Sequence, residues 1–184
     1  MHVRRDRTIY GLTMTAAFAA AMALLAPWTV PLGPVPLSVC TLMVYLSAWL
    51  LTPGRAVAAV TIYVLLGAVG LPVFSGFLGG VGRLAGPTGG YILGYLPLCM
   101  ICTLFVGRFR NRRWLCLLGM VVGTVVLYAM GTVWFCVQTE TAVGTALVVC
   151  VLPFVAGDAV KIGVALLLGP VLRDRLKRTG LLFP

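Results

Sequence analysis

Residues 70–94, GLPVFSGFLGGVGRLAGPTGGYILG, form the stretch around which the rest of this chain is organised. The stretch contains eight glycines between Gly76 and Gly94, whereas the sequence on either side is a series of apolar runs. Loops of this length in compact chains are usually functional or disordered. Because glycine lets the backbone approach a bound molecule closely, we expect this loop, including Gly80, to close over a small ligand.

The composition is that of an integral membrane protein. Of the 184 residues, 61% are hydrophobic and 10% are charged, and the mean hydropathy is +1.07. No polar stretch is long enough for a separate soluble domain, so a single domain over residues 1–184 is expected. The net charge of +10 comes from short clusters between apolar runs. Such a distribution is typical of the loops of a membrane protein and argues against nucleic-acid binding.

Proline, glycine and charge divide the apolar sequence into six predicted transmembrane helices. Their predicted ranges are residues 9–26, 37–51, 56–71, 89–106, 114–137 and 143–172. The first range follows a basic start and resembles a signal peptide, but the later spans favour an uncleaved helix. The second and third are short for a bilayer, which needs about 20 residues. A single helix over both would carry Pro53-Gly54-Arg55 at its middle, which is less favourable.

The basic residues predict that both termini face the cytoplasm. In that orientation the inner side receives three arginines in residues 4–7, one at Arg55, four in residues 108–113 and four basic residues in 173–178, which makes twelve of fourteen. The outer loops receive Arg83 alone, in agreement with the positive-inside rule. The glycine-rich loop and a proline-rich loop, residues 27–36, then both lie outside, where they can approach one another.

Two charged residues, Asp158 and Lys161, lie deep in the sixth predicted helix. A charge inside the membrane costs roughly 2.5–3.5 kcal/mol and is a functional hypothesis by default. Their spacing places them on one face of a helix. Three interpretations are open: a pair that only neutralises itself, a proton relay, and a polar floor for a ligand needing both an acceptor and a donor. Pro153 favours the third, because it predicts a kink beside the pair, and kinks at membrane depth often border a cavity.

Arg83 and several aromatic residues are further candidates. Arg83 is either a solvated loop charge or, among glycines, a partner for a carboxylate entering from outside. Tyr91, Tyr95, Trp134 and Phe135 lie near predicted outer ends of helices, where an aromatic belt is the ordinary explanation. One or two of them can instead stack against a ligand.

The first predicted helix carries Ala16 and Ala20 one turn apart, a small-xxx-small face that lets another helix approach closely. Its partner is either internal or a second protein. The six cysteines lie within apolar runs, so a disulfide framework is not expected. Cys99 and Cys102 match a redox spacing, but two small residues on one helix face explain the pair.

Enzymatic chemistry is not expected. There is no GxxxxGK[ST] phosphate loop, hence no ATP hydrolysis by this chain. The acids outside the termini are Glu140 and Asp158, and the single histidine is His2. These leave little material for a catalytic constellation or a metal site, and no cofactor is predicted.

The sequence resembles the BioY family, the biotin-binding S components of energy-coupling factor transporters. Three stretches carry the resemblance: residues 34–42, the segment GLPVFSGFLGG…LAGPTGGYILGY in residues 70–95, and LPFVAGDAVKIGVA in residues 152–165. The third contains the family's PF..GD..K pattern with Asp158 and Lys161. Many family members have Gln where this chain has Cys40.

The resemblance implies an all-α S-component fold with six transmembrane helices, in a bacterial cytoplasmic membrane. It implies biotin as the ligand, and a complex with a transmembrane coupling protein and two ATPases that use ATP. Ala16 and Ala20 then correspond to the helix by which S components contact that partner. The predicted ligand-binding residues are Asp158, Lys161, Arg83, Tyr91, Thr88, Gly80 and Trp134. Asp158 and Lys161 would meet the ureido group and Arg83 the carboxylate, or the two ends of biotin are reversed.

Two other functions remain open. One is a self-sufficient secondary transporter, which the absence of further buried acids or histidine argues against. The other is an S component for a different small vitamin. An intramembrane enzyme is disfavoured by the shortage of acids and histidine.

Overall fold

The computed structural model describes residues 2–30 and 35–178, and the described chain is almost entirely helical. Proline, glycine and the arginine-rich turn separate the helices, as the sequence predicts. The elements in chain order are α1 His2–Leu25, β1 Thr29–Val30, β2 Leu37–Ser38, α2 Cys40–Leu50, α3 Pro53–Ala68, α4 Val81–Ala85, α5 Gly89–Phe109, α6 Arg113–Thr139, α7 Val143–Cys150 and α8 Leu152–Arg178.

Each predicted transmembrane range contains a helix. Helices α5, α6 and α8 are long and apolar enough to cross a membrane, while residues 9–25, α2 and α3 are shorter apolar helices. The chain is an integral membrane protein. One boundary was wrong: Pro53 is at the start of α3, so residues 53–55 belong to that helix and not to the link before it. Proline is favourable there because the first helical turn needs no N–H donor.

The glycine-rich stretch is not a loop throughout. It contains helix α4, and Phe74 and Leu78 form an isolated antiparallel bridge within it. Gly80, which precedes α4, has φ of 94°, a conformation that favours glycine.

As predicted, the glycine-rich and proline-rich loops approach one another. The N–H of Gly76 donates to the carbonyl of Pro27 at 3.0 Å, and the rings of Trp28 and Phe77 meet edge to face at 5.5 Å. Strands β1 and β2 pair in an antiparallel hairpin just after Trp28. Residues 31–34 of the proline-rich loop lie outside the described residues.

The sixth predicted helix is broken beside Pro153, which confirms the predicted kink. The N–H of Phe154 donates to Val151 O at 2.9 Å instead of reaching back a full turn, and this leaves the carbonyl of Cys150 without its helical donor. The hydroxyl of Tyr91 lies 3.3 Å from that carbonyl and donates to it. The break between α7 and α8 is therefore compensated by a side chain of α5.

The tightest packing is between α5 and α6, where glycines let side chains of the opposite helix lie against the backbone. Gly131 of α6 receives the ring of Tyr91, and Gly90 of α5 receives Trp134. Helix α2 contacts α5 and α8, and α6 contacts α8. Helices α2, α5, α6 and α8 thus form a ring, with α1 and α3 packed outside it.

Candidate functional site

A buried polar cluster lies inside the ring of helices α2, α5, α6 and α8. Its centre is Asp158 of α8, which is 4% exposed, one helical turn before Lys161. Nζ of Lys161 lies 2.9 Å from Oδ1 of Asp158. The break before α8 lets that helix begin within the bundle, so its second and third turns carry the two charges beside α2 and α6.

Side chains and backbone of three elements complete the cluster. Thr41 at the start of α2 donates to Oδ1 of Asp158 at 3.2 Å, and Tyr128 of α6 donates to Oδ2 at 2.5 Å. Lys161 donates to the carbonyl of Ser38 in β2 at 2.6 Å and to Oγ1 of Thr41 at 3.0 Å. Charge-assisted hydrogen bonds of this kind are about twice as strong as neutral ones, so the cluster holds four elements together.

The hydrogen-bonding capacity of the pair is unevenly used. The ammonium of Lys161 has three N–H donors, and Ser38, Thr41 and Asp158 accept all three. The carboxylate of Asp158 has about four acceptor positions and fills three. A ligand N–H can therefore be accepted by Oδ2 of Asp158 without loss of an existing bond. A ligand acceptor must take a donor of Lys161 from one of its present partners.

A cavity of about 50 Å³ lies against this cluster. Aromatic and aliphatic side chains make up much of its wall, while Asp158, Lys161 and Thr41 supply polar groups. Ligand pockets usually measure about 300–1,000 Å³, so a vitamin-sized molecule requires the wall to move outward. The lining residues are Val35, Pro36, Ser38, Thr41, Tyr91, Tyr95, Leu127, Tyr128, Cys150, Phe154, Asp158 and Lys161.

The structure brings three of the seven predicted ligand-binding residues to this cavity: Asp158, Lys161 and Tyr91. The hydroxyl of Tyr91 also lies 3.2 Å from that of Thr132. Tyr91 therefore links α5, α6 and the α7–α8 break and also lines the cavity.

The other four predicted residues do not line the cavity. Gly80 and Arg83 lie at and within α4. Thr88 precedes α5, and its hydroxyl is buried without a hydrogen-bond partner. Trp134 donates from Nε1 to the carbonyl of Gly86 at 2.9 Å, so it ties the segment between α4 and α5 to α6. Gly80, Arg83 and Thr88 lie in the predicted covering segment, residues 70–88, and Trp134 is hydrogen-bonded to that segment through the carbonyl of Gly86.

Three residues of the polar cluster were missed from the sequence: Ser38, Thr41 and Tyr128. Ser38 and Thr41 fall within the first of the three stretches that resemble the family, which was the available signal. Nothing marks Tyr128 in an apolar run of α6. Cys40, where the family often has Gln, is fully buried and does not line the cavity.

Helix α1 has one free small-residue face. Ala16 and Ala20 are exposed, whereas Ala19 and Met22 are buried against the rest of the bundle. Leu12 and Leu24, which extend the same face, are 63% and 71% exposed. The small-xxx-small pair is therefore not used for packing within the described chain.

Comparison with known proteins identifies relatives over nearly the whole chain. The model of the BioY family matches residues 2–178. The biotin transporter BioY2 of Lactococcus lactis subsp. cremoris (strain MG1363) is 31% identical over 179 residues, which are 97% of this chain and 98% of that protein. The biotin transporter BioY of Thermotoga maritima is 36% identical over 154 residues, which are 83% and 90% of the two chains.

A solved structure has the same fold. The crystal structure at 2.1 Å of the S-component for biotin from an ECF-type ABC transporter superposes with a TM-score of 0.86. It is 24% identical in sequence and covers 92% of this chain and 93% of its own. The S-component fold predicted from the sequence is confirmed.

Proposed function

The chain belongs to the BioY family, and we propose that it is the substrate-binding S component of an energy-coupling factor transporter and captures biotin for uptake. The observation that carries this proposal is the Asp158–Lys161 pair, buried beside a cavity within a chain whose relatives are biotin transporters. The role is binding and transport, not catalysis.

The ureido group of biotin suits the polar cluster. One of its N–H groups donates to Oδ2 of Asp158, where one acceptor position is unused, and its oxygen accepts from Lys161 after the ammonium leaves Ser38 or Thr41. Each such charge-assisted bond contributes about 1.5–3 kcal/mol. Most of a tight affinity must therefore come from burial of the apolar bicycle, against which the ring of Tyr91 is available.

The carboxylate end extends toward the covering segment. Arg83 in α4 supplies the opposite charge, and the unpartnered hydroxyl of Thr88 supplies a donor. Gly80 gives the segment its backbone freedom. Trp134 holds the segment through Gly86 O, so its indole sets how far the cover closes. Entry of biotin enlarges the cavity by outward movement of Val35 and Pro36, which line it.

Coupling to ATP hydrolysis uses helix α1. The exposed face with Ala16 and Ala20 binds a transmembrane coupling protein, which in turn carries two ATPase subunits. The chain lies in a bacterial cytoplasmic membrane with six transmembrane helices and both termini inside. In this orientation the β1–β2 hairpin, the covering segment and the polar cluster are on the outer side, where biotin arrives.

The test is to purify the chain without its partners and identify bound small molecules by mass spectrometry, followed by titration with biotin in detergent. Co-purified biotin and one-to-one binding support the proposal. A different vitamin in the site would overturn the ligand. Biotin uptake by the purified chain alone in liposomes, driven by a proton gradient, would instead establish a self-sufficient transporter.

A further inference from the structure

An apolar groove lies between α6 and α8, away from the polar cluster. Its volume is about 340 Å³, and its walls are Trp114 and Leu117 of α6 and Gly163, Leu166 and Leu167 of α8. Trp114 is 62% exposed and Leu167 is 67% exposed. The wall at Gly163 is open, because a Cβ atom built there meets nothing within 4 Å. The groove is therefore lined mainly by apolar groups, as a bound hydrocarbon chain requires.

One wall of this groove is basic and continues in the chain into the arginine-rich α5–α6 turn. Arg113 lines the groove itself, and the turn before it lines an adjoining polar cleft of about 420 Å³ that includes Arg108, Arg110 and Arg112. The apolar and polar sites meet where Arg112 and Arg113 are consecutive in the chain. One end is therefore strongly basic, and the other is hydrocarbon-like.

We propose that this groove and turn bind one anionic phospholipid, with an acyl chain along Trp114, Leu117 and Leu166 and the phosphate on the arginines of the α5–α6 turn. The charge pattern is that of basic pockets between membrane helices, which bind anionic head groups. The shape and charge together select a lipid over a free anion, because half of the site is apolar.

Two arginine side chains at this end have buried N–H groups without acceptors, which supports an anionic ligand. Nε of Arg110 and Nε of Arg173 are buried without hydrogen-bond partners. The two guanidinium groups are close enough to repel each other, an effect that Asp174 offsets in part. A phosphate near Arg110 reduces that repulsion and gives its guanidinium an acceptor.

The start of α6 adds a second reason. The helix begins at Arg113 without a side-chain cap and without an acidic residue in its first turn. Arginine at this position opposes the helix dipole, which favours negative charge at the N-terminus. A bound phosphate complements both the dipole and the arginine, and the free N–H groups of the first turn are donors for it.

The experiment is native mass spectrometry of the whole purified chain, with phosphatidylglycerol and phosphatidylcholine of identical acyl chains in competition. We expect retention of phosphatidylglycerol to exceed that of phosphatidylcholine by about tenfold or more. The double variant Arg110→Gln, Arg113→Gln should lose this preference. The variant Gly163→Leu, which fills the groove and raises helix propensity, should weaken retention of both lipids.

Each variant has a matched control. Arg175→Gln together with Lys177→Gln removes two exposed charges near Arg173 and should leave the preference unchanged. Gly144→Leu makes the same replacement at a glycine of α7 whose Cβ direction is also open, and it should leave retention unchanged. Inorganic phosphate should not displace the lipid.

Four results would overturn the proposal. Equal retention of the two lipids by the unaltered chain would show that the arginines do not select the anionic head group. Displacement by inorganic phosphate reduces the site to a simple anion site. An equal loss in the variant Arg175→Gln, Lys177→Gln would attribute the effect to net charge. An equal loss in Gly144→Leu would show that the lipid does not lie in the groove.

Discussion

The hydroxyl of Tyr128 donates a 2.5 Å hydrogen bond to Oδ2 of Asp158, and so joins the middle of α6 to the start of α8. Thr41 and Lys161 hold the other oxygen. The carboxylate is thereby fixed in one orientation relative to the cavity before any ligand arrives. Preorganised acceptors of this kind lose less conformational entropy on binding.

We expect Tyr128→Phe to weaken biotin binding about tenfold, because the carboxylate loses one of its three orienting hydrogen bonds. Titration calorimetry in detergent measures the change. Tyr45→Phe is the matched control: it removes a buried hydroxyl 2.6 Å from that of Thr124, at a site that does not line the cavity. It should lower thermal stability and leave biotin affinity intact. Wild-type affinity in Tyr128→Phe would show that the carboxylate needs no such support.

Asp158→Asn and Lys161→Ala should each weaken biotin binding by about tenfold or more, since each removes a charge-assisted contact to the ureido group. Equilibrium binding of radiolabelled biotin to the purified variants gives the ratios. Undiminished binding in both would exclude the polar cluster as the ligand site.

The same pair predicts a non-additive effect on stability without ligand. Either single change leaves one buried charge uncompensated, which costs about 3–5 kcal/mol. The double variant Asp158→Asn, Lys161→Met leaves none, so it should melt at a higher temperature than Asp158→Asn alone or Lys161→Met alone. Thermal unfolding in detergent followed by tryptophan fluorescence makes the comparison. If the two effects simply add, the charges do not stabilise one another.

Arg83→Gln tests whether the arginine of α4 meets the ligand carboxylate. We expect biotin affinity to fall about tenfold, as for a lost charged hydrogen bond, while the affinity for the neutral biotin amide stays unchanged. The amide is the control within the same variant. Parallel losses for both ligands would place Arg83 in the closing of the covering segment and not in contact with the carboxylate.

Ala16→Leu together with Ala20→Leu should abolish uptake without affecting biotin binding, because larger side chains keep another helix from approaching α1. Uptake by cells that produce the complete transporter, and co-purification of the coupling protein, are the measurements. Ala129→Leu, on the exposed face of α6, should leave both intact. Loss of biotin binding in the α1 variant would indicate a folding defect.

The sequence located the helices because their limits depend on strong local signals. Pro153 removes a backbone donor wherever it stands, so the break before α8 was predictable. The arginines of residues 108–113 cannot enter the hydrocarbon layer, so the α5–α6 turn was predictable as well. The boundary at Pro53 was misplaced because proline is favourable both in a turn between helices and in the first turn of a helix.

Only the charged residues of the polar cluster could be predicted from the sequence. Asp158 and Lys161 are conspicuous in an apolar run, but Thr41 is not. Threonines elsewhere in the chain, such as Thr61 and Thr103, donate to carbonyls of their own helices. A threonine hydroxyl in a helix therefore has a local partner available, and sequence cannot say which one reaches a neighbouring helix instead.

The Asp158–Lys161 contact also shapes how the chain enters the bilayer. The two residues are one turn apart on a single helix, so they pair as soon as that turn forms, before any other helix is near. The membrane-spanning part of α8 then inserts as an almost neutral segment, which lowers the cost of placing two separate charges in the bilayer. Thr41 and Tyr128, synthesised earlier, are already in the membrane when it arrives. The binding site is thus completed by α8, the last of its elements to be translated. Ribosome-bound chains that end before residue 152 lack both charged residues of the site.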